Sequence, residues 1–450
     1  MDQPDPATTT DDIRSLGVEM EAFIARQRKP GLALHRIYPP TAFPDVRSRL
    51  GGLPQLPPDL EWPMGTSEGD VVPMHFMAQI DCAEIPLIDP DMPTTGMLFY
   101  FVVNDETQIW DVKNPRDRAC VLYAPEVARD QAVRHPPDGL RPIHDVAAPD
   151  SPYYQPHWLL PGEDGPNVHI QWPILARYMD TWPDTSMATG RPPDGDWEWY
   201  CYRVKRLRLG AAVAAIGMIP LPGRVPPWGD FNSRGREELA ASIRRDASFP
   251  QVGILIDRIA RVLNNKRNSK ARTWETLPDV AEWVQRAADI GWDEAPDEDT
   301  RRRFRDWVAD QLDEGCATPL NTWNMERTMS EGVLAAIAYT GSSPKAAALF
   351  SEDLYKGFEY EHLPFDYDYV WNDQGRKKID APRIHQMLGD VPFINACGPE
   401  VDGDAVCLLR LVCDFAIGFD FGDLGHATFW ITREDLRNRR FQGVAALMDG

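Results

Sequence analysis

The sequence is short of cysteine pairs, of positive charge and of long apolar runs, and each shortage excludes a class of protein. Seven cysteines are spread over 450 residues without a Cys-x-x-Cys pair, which excludes zinc ribbons and thioredoxin-type motifs. Lysine and arginine number 47 against 69 acidic residues, and the net charge of −22 disfavours binding to nucleic acid or to anionic membranes. No run of about 18 apolar residues is available to span a bilayer.

Common signatures of catalysis and secretion are also missing. The sequence contains no GxxxxGK[ST], HExxH or GxSxG motif, and no GxGxxG follows a predicted strand. Residues 1–12 have neither the basic region nor the apolar region of a signal peptide. We therefore expect a cytoplasmic protein with buried, reduced thiols, no cofactor and no metal.

The residues in excess are proline and tryptophan, with 41 and 15 copies, which indicates short strands joined by long loops. Apolar residues at helical spacing predict a first helix that ends before Pro30. Alternation predicts a strand at Met74–Ile80, and Met97–Val103 is apolar on both faces, as in a central strand. Further strands are predicted at Gln108–Lys113, Cys120–Tyr123, Trp197–Arg203 and Ala211–Ile219.

The hydrophobic period changes from two to 3.6 near Ser233, and five or six helices are predicted over roughly 236–358. Strands return at Val406–Val412 and Ala427–Thr432, and Thr432 caps a short helix with an acidic first turn. Residues 75–81 and 96–102 resemble residues 407–414 and 425–431, because each pair is an apolar strand, an aspartate, a glycine and an aromatic strand. This similarity indicates an internal duplication.

Motifs at both ends of the chain carry a resemblance to a known family. They are Ser48-Arg49-Leu50-Gly51-Gly52-Leu53-Pro54, Glu61-Trp62-Pro63, residues 76–81, His385-Gln386-Met387-Leu388-Gly389, Leu408-Leu409-Arg410-Leu411, Gly422-Asp423-Leu424-Gly425 and Phe429-Trp430-Ile431. Their order and spacing resemble the YwqG-like family of largely uncharacterised bacterial proteins. The family usually has glutamine where Asn395 and Arg410 stand, and its helical segment is smaller.

That family is similar to ribosomal-protein chaperones of the programmed-cell-death-protein-two type. The resemblance therefore implies binding to another protein, in a chaperone-like or toxin-neutralising role, and not catalysis. The alternative is an enzyme or sensor that binds a small polar ligand, such as a carbohydrate, in a cleft lined by tryptophan and aspartate. The sequence leaves the identity of the partner and the oligomeric state open.

The candidate site residues come from the duplicated strands and the loops beside them. Gln79 and Asp81 share a strand face and suit a ligand, or else they satisfy a loop and cap a turn. Asp423 belongs to an acidic cluster with Asp414, Asp420 and His426, which suits a hairpin turn as well as a ligand site. Trp62 and Trp430 are the predicted aromatic walls of a cleft between the halves, with Asp423 and His385 as nearby polar contributors. If the halves are repeats, Gln79 and Asp81 correspond to Arg410 and Asp414.

The predicted fold class is α+β, with a twisted, mostly antiparallel β assembly formed by two related halves. We assign residues 1–31 to a tail and helix, 32–231 to the first half, 232–359 to a helical insertion and 360–450 to the second half. Because the duplicated motifs lie on both sides of the insertion, the two halves are expected to complete one core.

Overall fold

The computed structural model describes residues 10–40, 45–105, 117–143, 167–184, 188–216, 236–268, 279–312, 336–337, 343–350, 365–372, 375–382, 384–392, 404–414, 417–421 and 425–449. The helices with defined bounds are α1 Thr10–Gln27, α2 Trp197–Ile216, α3 Arg236–Arg245, α4 Gly253–Asn268, α5 Val280–Ile290, α6 Glu298–Asp310, α7 Pro344–Ala347 and α8 Arg433–Arg437. No helix within these residues has both the length and the apolar character that crossing a membrane requires.

Fourteen strands are defined in the same residues, and most of them join a single sheet. The strands are β1 Lys29–Arg36, β2 Arg49–Leu50, β3 Met64–Ser67, β4 Asp70–Pro73, β5 His75–Asp81, β6 Met97–Val102, β7 Ala119–Ala124, β8 Trp172–Thr181, β9 Phe365–Asn372, β10 Gly375–Pro382, β11 His385–Met387, β12 Ala405–Val412, β13 His426–Thr432 and β14 Ala445–Asp449. Ten of them form a sheet in the order β14-β13-β12-β11-β1-β8-β2-β5-β6-β7, while β3–β4 and β9–β10 are separate two-stranded ribbons.

The large sheet is built from two similar runs of strands around a central pair. We call β2, β5, β6 and β7 the first half, β11 to β14 the second half, and β1 with β8 the seam. All neighbouring strands are antiparallel. The sheet curves until β14 lies beside β7, and the rings of Tyr100 and Phe429 meet 5.2 Å apart between the two halves. The predicted α+β class and its two related halves are confirmed.

The duplication extends to irregular details of the backbone. The pairing of β5 with β6 shifts register between Phe76 and Ala78, and that of β12 with β13 shifts at the matching place, between Cys407 and Leu409. Counting from the bulges makes Gln79 equivalent to Arg410, as predicted. Asp81 is equivalent to Val412 and not to Asp414, because the second strand has two more residues before its aspartate.

The turn that follows the first strand of each half has the same unusual conformation. Gly51 and Gly52 have φ angles of 59° and 73°, and Leu388 and Gly389 have 60° and 70°. A side chain on Gly51 would place its Cβ 2.2 Å from the carbonyl oxygen of Ile170, so this position requires glycine. The second half accepts leucine at the same φ.

The two seam strands are exchanged between the halves. Strand β1 precedes the first half in the chain, yet it pairs with β11 of the second half. Strand β8 precedes the second half, yet it pairs with β2 of the first. The two strands also pair with each other over their whole common length, from Lys29 opposite Thr181 to Arg36 opposite Ile174. Each half therefore depends on a strand that the other contributes.

Residues 197–216 are the main departure from the predicted secondary structure. The predicted strands at Trp197–Arg203 and Ala211–Ile219 are wrong as far as Ile216, because this segment is helix α2. Its buried residues recur at multiples of four positions, the spacing of one helix face, and they are Tyr200, Val204, Ala212 and Ile216. The aromatic residues at the start of the segment imitate a strand pattern, whereas the alanines favour a helix.

Helices α3 to α8 form one core with the strands. Hydrophobic residues of α3 to α6 belong to the same cluster as the strand residues Leu34, Ile80 and Leu409. The predicted cap is confirmed at Thr432, whose side chain accepts a hydrogen bond from the amide of Asp435 at the start of α8. The boundaries near 231 and 359 stay a prediction, because residues 217–235 and 351–364 lie outside the described residues.

Candidate functional site

The residue three positions before each duplicated turn forms a hydrogen bond with the backbone of the next strand through its side chain. In the first half the hydroxyl of Ser48 accepts a hydrogen bond from the amide of Asp81 at 3.0 Å. In the second half Nδ1 of His385 accepts one from the amide of Val412 at 3.2 Å. These four residues occupy equivalent positions, so serine and histidine perform the same backbone task. Nδ1 of His385 consequently carries no proton.

A buried ionic group surrounds His385 at the seam. The carboxylate of Asp414 accepts hydrogen bonds from Nε of Arg36 at 2.7 Å and from Nε2 of His385 at 3.0 Å. The guanidinium of Arg36 also lies 4.8 Å from the ring centre of Trp172. All three side chains are at most 5% exposed. We call Arg36, His385 and Asp414 the seam cluster.

The seam cluster has the residue types of an acid–base site but not the required geometry. Burial lowers the pKa of His385, and the hydrogen bond with Asp414 opposes that effect. A general base needs one ring nitrogen directed at a substrate. In His385 one nitrogen donates to Asp414 and the other accepts from the backbone, so neither is available. In this arrangement the cluster joins the seam to the second half.

The polar residues of the first half are satisfied in a different way. Gln79 is fully buried, and its amide nitrogen donates to the carbonyl of Arg47 and to Oε1 of Gln55, both at 3.0 Å. Asp81 pairs with Arg47 at 3.2 Å and accepts a hydrogen bond from the amide of Ala83. Both side chains therefore hold the loops around them, which is the structural alternative that their sequence context also suggested.

The predicted cleft walls are not brought together. Trp62 is 9% exposed, packs on the ring of Phe101 at 5.3 Å and donates from Nε1 to the carbonyl of Met74. Trp430 lies in another hydrophobic cluster, with Val391. The two clusters have no common member. Both tryptophans occupy core positions.

Two of the remaining candidates belong to the second half. Arg410 lies opposite Gln386 in the pairing of β12 with β11, and it is 7% exposed. Asp423 lies outside the described residues. Within the residues that are described, no three histidine, cysteine, aspartate or glutamate side chains gather so that they could hold a metal ion.

The sequence analysis missed a pair of buried histidines that lies outside the seam cluster. Nδ1 of His75 accepts from the amide of Asn104 at 3.1 Å, and its Nε2 lies 2.8 Å from the carbonyl of Arg141. The side-chain amide of Asn104 lies 3.3 Å from Nε2 of His169. Burial lowers the pKa of His169 to about 3 and lowers that of His75, so both rings are neutral near neutral pH. His75 and His169 are far apart in the sequence and belong to no motif, so the sequence gave no indication of this contact.

A small recess lies where the loop after β5 meets the turn of the second half. It measures about 90 Å³, and its lining includes Ile85, Pro86, Leu87, Met92 and Leu388. Leu87 is 60% exposed. Burial raises the pKa of the Cys82 thiol, which also lines the recess, to about 12, so this cysteine is a neutral wall and not a nucleophile.

Comparison with known proteins identifies a family. A family model described as "Domain of unknown function (DUF1963)" matches residues 48–187 and residues 269–449, together more than half of the chain. The first segment contains β2 to β8 and the second contains β9 to β14. No curated protein matches the chain.

Proposed function

We propose that the chain, which belongs to the family of the domain of unknown function DUF1963, the YwqG-like family, is a non-catalytic module that binds another protein. The observation that carries the proposal is the recess beside Leu87. Small-molecule sites usually enclose about 300–1,000 Å³. A recess of about 90 Å³ with apolar walls suits a single apolar side chain from an extended segment of a partner.

The chemistry of the described residues supports binding over catalysis. His385 has both ring nitrogens engaged, and the Cys82 thiol is held neutral by burial. A carbohydrate cleft between Trp62 and Trp430 has no support, because both rings are in core clusters. The similarity to ribosomal-protein chaperones extends the proposal to a chaperone-like or toxin-neutralising role in the cytoplasm.

Site-specific photocrosslinking in the native cell tests the recess directly. A benzophenone amino acid at Leu87 is expected to give one discrete protein adduct, since that side chain is exposed at the rim. The matched control is the same probe at Val133, which is 47% exposed and does not line the recess. If both positions give the same adducts, or position 87 gives none, the proposal fails.

A further inference from the structure

The loops that follow β5 and β12 are equivalent parts of the two halves. The first loop runs from Cys82 to Gly96, and the second loop runs from Cys413 to Gly425. In each loop the amide of the cysteine donates to the carbonyl of the glycine, at 2.9 Å in the first and 3.2 Å in the second. The two loops therefore begin and end in the same way.

The recess lies between the first loop and the turn of the second half. Its lining includes Cys82 of that loop and Leu388 of that turn. Leu388 and Gly51 are equivalent, with φ angles of 60° and 59°. The recess consequently has a counterpart on the other side of the sheet, between Cys413, the second loop and Gly51.

The second loop fills this counterpart with its own aromatic residues. Phe419 and Phe421 are fully buried, and their ring centres are 5.7 Å apart. The amide of Phe421 lies 3.2 Å from Sγ of Cys413, and the ring centre of Phe419 lies 4.8 Å from that of His169. The carbonyl of His169 accepts a hydrogen bond from the amide of Gly52, in the turn of the first half. The two phenylalanines thus connect the cysteine with the turn.

The first loop has no aromatic residue with which to fill the recess. It contains no phenylalanine, tyrosine or tryptophan, whereas the second loop contains three phenylalanines. The recess is open at Leu87, and its lining includes Met92, whose thioether makes favourable contacts with aromatic rings. A closed cavity of about 150 Å³ holds a benzene molecule. An open recess of about 90 Å³ suits a ring whose backbone stays outside.

The charges beside the recess favour an uncharged ligand. The first loop has three acidic residues and no basic one. Glu84 accepts hydrogen bonds from two backbone amides at 2.8 Å, Asp89 pairs with Arg433, and Asp91 pairs with Arg437. All three carboxylates are thus engaged within the chain. A charged side chain entering the recess would lose hydration without gaining a new counter-ion from this loop.

We propose that the recess binds a phenylalanine side chain of the partner protein. The inference rests on the proposed function for the claim that the ligand belongs to a protein, and it adds the chemical class of the side chain. The partner's ring takes, in the first half, the place that Phe419 and Phe421 take in the second. Phenylalanine is the aromatic side chain without a polar group, which matches the mostly apolar lining.

The test uses the full chain with carbon-13 methyl methionine and follows the methyl resonance of Met92, assigned by its absence in Met92→Leu. The probes are blocked tripeptides with phenylalanine or leucine between two glycines. The phenylalanine peptide is expected to shift the resonance saturably, because an aromatic ring shields a methyl group that lies over its face. It is expected to bind at least about fivefold more tightly than the leucine peptide.

Ala83→Phe supplies the missing ring from within the chain. Ala83 is exposed and lines the recess, so the variant is expected to abolish the response of Met92 to the peptide and to melt no lower than the wild type. The matched control is Val133→Phe, which adds the same ring at an exposed position outside the recess and is expected to bind normally. If Ala83→Phe lowers the melting temperature, Leu87→Asp at the exposed rim replaces it in the same comparison.

Three results overturn the inference. The leucine peptide binds as tightly as the phenylalanine peptide, so the recess accepts any apolar side chain. The phenylalanine peptide leaves the Met92 resonance unshifted, so the recess is closed to it. The recess variant binds the peptide as tightly as the control does, so the ring binds elsewhere.

Photocrosslinking at Leu87 separates this inference from the proposed function. A discrete protein adduct together with equal affinity for the two peptides refutes only the choice of phenylalanine. A preference for the phenylalanine peptide without any protein adduct refutes the proposed function, and the aromatic selectivity of the recess then stands without a protein as its source.

Discussion

The two halves of the sheet share a backbone and differ in where they place their charges. Both have the same bulge, the same left-handed turn and, three residues before that turn, a side chain that accepts a hydrogen bond from the next strand. In the first half an ion pair between Arg47 and Asp81 lies at the rim, with both side chains more than 10% exposed. In the second half the pair of Arg36 and Asp414 is buried at the seam. The two halves share these backbone features, whereas their charged residues stand at different positions.

This comparison separates structural residues from candidates for function. Ser48 and His385 are chemically different, but both accept one backbone hydrogen bond, so the histidine is explained without catalysis. Arg49 and Gln386 also make equivalent bonds, and the residues opposite them are Gln79 and Arg410, so each strand pair keeps one buried arginine and one glutamine. The internal repeat thus provides a comparison that a fold without duplication would not offer.

The largest expected effect comes from separating the halves. A fragment of residues 1–231 lacks β11 to β14, which leaves one edge of β1 unpaired and the interior of the first half uncovered. We expect this fragment to aggregate and to show no cooperative thermal transition by circular dichroism. Co-expression with residues 232–450 is expected to restore a soluble complex. Cooperative melting of residues 1–231 alone would show that the halves are independent.

Removing the carboxylate of each ion pair is expected to sharpen the contrast between the halves. Asp414→Ala removes the carboxylate that pairs with the buried guanidinium of Arg36, at a cost of about 3–5 kcal/mol in the free energy of unfolding. Asp81→Ala removes a partly exposed pair and one turn bond, at a cost of about 1–2 kcal/mol. Urea denaturation of both variants measures the difference. Equal losses in the free energy of unfolding would mean that burial does not make the ion pair of the seam cluster more important for stability than the exposed pair.

A smaller effect is expected from acid. Burial lowers the pKa of His169 to about 3, whereas the unfolded chain titrates near its ordinary value of 6.5. The unfolded state therefore binds more protons, and stability falls as the pH drops below about 6.5, by about 2 kcal/mol for this residue at pH 5. The pKa values of His75 and His385 are lowered as well, so their contributions have the same sign.

The measurement compares the free energy of unfolding at pH 7 and pH 5 in the wild type and in His169→Gln. The glutamine cannot titrate, so the loss between the two pH values is expected to shrink by about 2 kcal/mol. Carboxylates contribute equally to both proteins and cancel. An identical loss in both would show that His169 is protonated as readily in the folded chain as in the unfolded one.

The fold was largely predictable where local pattern and tertiary role agree. Strands β5, β6, β12 and β13 are buried runs bounded by turn residues, and the sequence shows them within one or two residues of their bounds. Helix α2 was mistaken for strands, because its aromatic residues carry a strand signal that packing against β8 overrides. The predicted strand at Gln108–Lys113 lies outside the described residues.

The site was less predictable, because its contacts join residues far apart in the chain. Asp414 stood out in an acidic cluster, but no sequence pattern connects it with Arg36. Trp62 stood out as an aromatic in a proline-rich loop, yet its indole nitrogen bonds to the backbone inside a core cluster. The chemistry of a side chain is readable from sequence, whereas its partners depend on strand order.

The exchange of β1 and β8 has a consequence for synthesis on the ribosome. Strand β1 is made early, but its two neighbours, β8 and β11, begin only at Trp172 and His385. At about 5–20 residues per second, β1 waits roughly 20–70 seconds for β11 after it has been made. During that time β1 lacks the strand that finally covers one of its edges, so we expect the nascent chain to need protection of that edge from other chains.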